Sequence, residues 1–88
     1  MTYFTLNAGV RTIDPHRARM WLAKGGRDRE INRLVVDQLK GALIQGRWIT
    51  DHNPIVIAKD GHVINGQHRL TAIVETDISA RVVLVTGA

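Results

Sequence analysis

DGHVINGQHRLTAIVE, residues 60–75, is the stretch on which the fold turns. Asp60-Gly61 between two apolar runs is a strong hairpin signal. It joins Ile55-Val56-Ile57 to His62-Val63-Ile64 as two short strands, with Lys59-Asp60-Gly61 as the turn and Asp60 its natural turn residue. Gly66 breaks the second strand. Beyond it the apolar spacing changes, because Leu70, Ile73 and Val74 fall on one face of a helix from about Gln67 to Glu75. Residues 80–85 are apolar at nearly every position and read as a strand buried on both faces.

Working back toward the N-terminus, the segment from Arg27 to Trp48 carries Val35 or Val36, Leu39, Ala42 and Leu43 at helical spacing. Gly46 stands where the residue after a helix end is placed. Gly41 inside this helix costs about 1 kcal/mol relative to Ala, which points either to tolerance or to a close neighbour passing over it. Trp48 is expected to pack the helix onto the sheet, with Arg47 at the rim. Earlier still, Asp14-Pro15 supplies a cap and a first-turn proline for a helix through about Lys24, and Gly25-Gly26 stops it. Ala18, Trp21 and Leu22 share its inner face. Residues 3–6 and 10–13 read as short extended pieces. Helices first, then strand, strand, helix, strand, predict an α+β fold with helices packed on a short mixed β-sheet.

At 88 residues the chain holds one core, so residues 1–88 are read as a single domain. An apolar fraction of 44% with 23% charged residues is that of a globular protein, and no apolar run approaches the roughly 20 residues that cross a bilayer. The N-terminus lacks the layout of a signal peptide, and without cysteine there is neither a disulfide framework nor thiol chemistry. A cytoplasmic protein without a membrane partner is the expectation. Residues 1–47 hold nine basic side chains against four acids, a charge of +5; the remainder holds three against four, −1. Arg17, Arg19, Lys24, Arg27 and Arg29 accordingly form either a solvated helix surface or a face for nucleic acid or an acidic protein.

The NGQHR turn carries the chemistry. A helix start exposes N–H groups and a partial positive charge, and a glycine before it lets an anion reach the backbone. Gly66 supplies that approach, and Arg69, one turn in, brings a planar fork of donors suited to phosphate. Gln67 and His68 add hydrogen-bonding groups, and an imidazole is also a group that can pass a proton. Each residue also has a structural reading: Gly66 as a plain turn, Arg69 in a surface salt bridge, His68 as a buried histidine bonded to a backbone carbonyl. The four histidines have no zinc spacing, so no metal site is expected.

The run from Asp60 to Ala72, with Asn32-Arg33, Leu43-Ile-Gln-Gly-Arg-Trp48 and Pro54-Ile-Val-Ile upstream, resembles the ParB/sulfiredoxin superfamily. More narrowly it is similar to ParB-like domains with a DGQHR signature that are common in phages and mobile elements. The likeness covers about residues 11–86. It implies a phosphate cradle made by Gly66, Gln67, His68 and Arg69, with Asn65 and Arg33 beside it. It also implies a nucleotide or a nucleic-acid backbone as ligand, Mg²⁺ entering only with a nucleotide, and NTP hydrolysis or phosphodiester cleavage as the class of any turnover.

Asn65 stands where the signature has Asp, and an amide is a poor metal ligand and no base. Gln67 occupies the place of the cysteine that sulfinate reduction needs. The chain also ends soon after the last strand, where partition proteins continue into DNA-binding and dimerisation domains, so a chromosome-partition role is not expected. His68 and Glu30 are the weak candidates for catalysis; Glu30 and Asp28 otherwise favour the long helix's positive end. The rival reading is a non-enzymatic, phage-type interaction protein that grips a host protein or DNA through its basic first half.

Overall fold

The computed structural model describes residues 7–25, 31–50 and 53–88. The extended piece expected at residues 3–6 lies outside these, as do Arg27, Asp28, Arg29 and Glu30. In chain order the elements are β1 (Asn7–Ile13), α1 (Pro15–Lys24), α2 (Arg33–Ile44), β2 (Ile55–Ile57), β3 (Val63–Asn65), α3 (Gln67–Thr76) and β4 (Ala80–Thr86). The four strands form one mixed sheet in the order β1-β4-β2-β3, the α+β arrangement the pattern predicts.

The local signals act as their chemistry requires. The Asp14 carboxylate accepts the Arg17 N–H at 2.7 Å, Pro15 opens α1, and Gly25 closes it at φ +83°. Asn32 caps α2 by accepting from the N–H groups of Leu34 and Val35. At the other end Gly46 takes φ +69°, donating to the Leu43 carbonyl while Arg47 N–H donates to that of Ala42. That crossed pair of bonds satisfies carbonyls the helix end would otherwise orphan. In the hairpin, Asp60 accepts the His62 N–H and pairs with its imidazole at 2.8 Å, while Gly61 turns at φ +94°. Those two contacts hold the Asp60 carboxyl below its ordinary pKa, the bond from the imidazole contributing most.

The helices cover one face of the sheet. Ile13, Ile55, Ile57, Val63, Ala80, Val82 and Leu84 are buried there against Ala18, Leu43, Leu70, Ala72 and Ile73, with Trp21, Leu22, Leu39 and Trp48 around them. Of the two valines weighed for α2, Val36 is fully buried and Val35 faces solvent.

Two elements differ from their sequence reading. β1 is one seven-residue strand paired with β4 from Asn7↔Thr86 to Ile13↔Ala80, although Asn7, Ala8 and Gly9 have little strand propensity; cross-strand pairing overrides it. β4 is buried on one face only: Ala80, Val82 and Leu84 point inward, while Arg81 is exposed and Val83 and Val85 are half-buried. Branched residues on both faces hide this alternation in the sequence.

β2 joins β4 in parallel, but only along Leu84–Thr86, so among the described residues no strand pairs with the first half of β4 on that side. There the Trp48 indole donates to the Arg81 carbonyl at 2.9 Å and the Thr50 hydroxyl donates to the same oxygen at 3.2 Å. Trp48 thus ties the end of α2 to the sheet, and Arg47 lies exposed, bonded to Gln45.

Candidate functional site

The β2–β3 pairing sets up the turn before α3. Val56 faces Asn65 and Ile57 faces Val63, so Ile64 is an extra residue in β3, a bulge immediately before the NGQHR turn. Gly66 follows in the left-handed region at φ +108°, and a Cβ there would sit 2.7 Å from Ile55 Cγ1. Glycine is therefore demanded twice, by backbone conformation and by the fully buried Ile55. The absent side chain faces the core, and this bend aims α3 back across the sheet.

The polar residues of the turn hold other parts of the chain. Asn65 Nδ2 donates to the Pro54 carbonyl at 2.9 Å and to Asn53 Oδ1 at 3.2 Å. Arg69 Nη2 donates to that same Pro54 carbonyl at 3.0 Å, and Nη1 donates to the carbonyl of Asn53. Both lone pairs of the Pro54 oxygen are thereby used, and the strand that begins at Ile55 is clasped at its entry. This geometry gives a physical reason for an amide at position 65: a carboxylate would face two acceptor oxygens with nothing to donate.

His68 reaches further. Its Nε2 accepts the backbone N–H of Asn32 at 3.0 Å, so the imidazole carries its proton on Nδ1 and fixes the residue that caps α2. Where the structural alternative had a buried ring bonded to a carbonyl, the ring is half-buried and accepts from an N–H. Arg33, read as a second phosphate contact, forms a two-pronged pair with Glu75 at 2.8 Å for each oxygen, and Lys40 joins the same carboxylate at 3.1 Å. The Arg33 bond and then the Lys40 bond lower the Glu75 carboxyl from its ordinary 4.5 to about 2, and Glu75 in turn raises Arg33. Glu75 binds α2 to the far end of α3, a role the sequence does not signal.

Between these anchors lies a hollow of about 260 Å³ lined by Asn53, Asn65, Gly66, His68 and Arg69, with Val35 and Leu39 of α2 as its apolar wall. A smaller recess of about 30 Å³ beside it adds Ile64 and Gln67. The structure thus brings Asn65, Gly66, Gln67, His68 and Arg69 together at the positive end of α3, and Arg33 is directed toward Glu75. Asn53 joins the site without a sequence signal of its own. Among the described residues no group of three His, Cys, Asp or Glu side chains converges as metal ligands do.

Of the basic face, Arg27 and Arg29 lie outside the described residues. Arg17, Arg19 and Lys24 are exposed on α1; Arg17 stacks over the Trp21 ring at 4.7 Å, and Lys24 Nζ donates to the Asp60 carbonyl at 3.1 Å. Gly41 has no atom within 4 Å of where its Cβ would point, so no neighbour within the described chain accounts for it. None of the described helices is long and apolar enough to cross a membrane. Comparison with family models, with characterised proteins and with solved structures finds no match to this chain.

Proposed function

We propose that the hollow at the start of α3 binds the phosphate of a nucleotide, as a ParB-like domain would, with Arg69 and the first turn of α3 as its electropositive wall. One observation supports the reading above the rest. A guanidinium, an imidazole, two amides and a glycine at a helix N-terminus line one hollow, and among the described residues no carboxylate lines it. Phosphate suits such a lining, because a helix start and a guanidinium both favour compact negative charge.

The clasp geometry makes Arg69 a positioning group as well as a source of charge, since its contacts with Asn53 and Pro54 shape the rim. His68 Nε2 is occupied as an acceptor, and Asn65 does not take up a proton, so among the described residues the hollow holds no general base. Binding is the primary activity proposed, with Mg²⁺ entering on the nucleotide and NTP hydrolysis or phosphodiester cleavage as the class of any turnover.

The test is isothermal titration of CTP, ATP and ADP with Mg²⁺ into the wild type and two variants whose folding is checked by circular dichroism. Arg69→Ala removes the guanidinium but also loosens the clasp. Gln67→Glu places a carboxylate at the helix start, where it favours the helix and repels phosphate. Saturable binding that weakens about tenfold or more in Gln67→Glu supports the reading. Absence of heat with a folded wild type overturns it and directs attention to a protein or DNA partner on the basic N-terminal half.

A further inference from the structure

A second hollow, of about 270 Å³, opens between β1, β4 and the start of α1, lined by Ala8, Gly9, Arg11, Arg17, Leu84 and Thr86. It shares no residue with the hollow at α3. Gly9 lies across from Leu84 and Arg11 across from Val82, and both partners are buried on the helix-covered face of the sheet. Cross-strand neighbours project to the same side, so Gly9 and Arg11 occupy positions where the apolar core would otherwise continue. The core instead stops at Ile13, and two guanidinium groups take its place.

Each has one local contact. Arg11 folds back over Gly9, its Nη1 2.9 Å from where a Cβ would stand and bonded to the Val10 carbonyl at 3.0 Å, so any larger residue at position 9 would displace it. The Arg17 guanidinium carbon stands over the Trp21 ring, 4.7 Å from its centroid. Neither guanidinium meets a carboxylate within 4.0 Å among the described residues, whereas Arg33 and Lys40 both do. Nor, among the described residues, does an acid line the hollow. Two forks of donors beside a threonine hydroxyl and a bare glycine backbone match the tetrahedral oxygens of phosphate.

We propose that this hollow is a second anion site that takes a phosphate group, supplied by a free nucleotide or by a nucleic-acid backbone. The proposal stands apart from the function assigned to the α3 hollow, and a site-resolved measurement separates the two. Inorganic pyrophosphate is titrated into the ¹⁵N-labelled full chain while the amides of Gly9, Arg11 and Thr86 are followed, with those of Gln67 and His68 reporting on the other hollow. The expected result is a saturable shift of the first group, weakened about tenfold or more in Arg11→Gln and in Arg17→Gln, both of which remove charge without breaking an ion pair.

Unmoved amides around Gly9, or titration in both variants equal to that of the wild type, would overturn the proposal. CTP and a short DNA duplex then distinguish the source. Saturation by CTP at pyrophosphate-like concentrations assigns a nucleotide. Tighter binding of the duplex that falls steeply with salt assigns a nucleic-acid backbone.

Discussion

Around the start of α3 the polar side chains are engaged by the fold, whereas around β1 and the start of α1 the arginines stand over a hollow without carboxylate partners among the described residues. Asn65 and Arg69 together grip the Pro54 carbonyl, and His68 holds the cap of α2. Arg11 and Arg17, by contrast, rest on a carbonyl of the adjacent residue and on an aromatic ring. The difference teaches that a motif can hold chain segments together before it holds a ligand. Under the proposed function, a phosphate at the α3 hollow would meet groups that already hold chain segments together.

Gly66→Ala tests the firm side hardest. A Cβ at φ +108° against Ile55 is expected to cost about 3 kcal/mol in urea denaturation, combining backbone strain with overpacking. A loss near zero would show that the β2 entry is not fixed as described. Asn65→Asp comes next, at about 2 kcal/mol near neutral pH, because a carboxylate replaces a donor beside two acceptors. The same urea series checks it: a variant as stable as the wild type would show that the Asn65 bonds to Pro54 and Asn53 do not hold the entry of β2.

Gly41→Ala is the opposite of Gly66→Ala. With open space around it, the substitution is expected to stabilise α2 by about 1 kcal/mol, measured in the same denaturation series. The smallest effect concerns Glu75. Its folded pKa of about 2 lies below its ordinary 4.5, so its contribution is fully present above 4.5 and is lost as pH falls toward 2. Glu75→Gln should flatten the wild-type decline in stability over that window; an unchanged slope would detach Glu75 from the α2–α3 contact.

What the sequence made legible was local. Asp14-Pro15, Gly46, Asp60-Gly61 and Gly66 each impose a cap or turn within a few residues, and the elements between them follow from apolar spacing. The long-range arrangement was not legible in this way. Asn32 meets His68 across 36 residues, Arg33 meets Glu75 across 42, and Arg69 reaches Pro54 across 15. No periodicity encodes those partners, so Arg33 looks available in the sequence and is occupied in the fold. Arg11 is the converse. It passes for an ordinary strand residue until the pairing of β1 with β4 places it over an open hollow.

The most direct test of the central claim is an amide-resolved titration of the wild type and Gln67→Glu with Mg²⁺–CTP. The account predicts saturable shifts of the Gln67, His68 and Arg69 amides in the wild type and their loss in the variant. Amides that stay still while nucleotide binds elsewhere, or that respond equally in both proteins, would contradict a phosphate site at the start of α3.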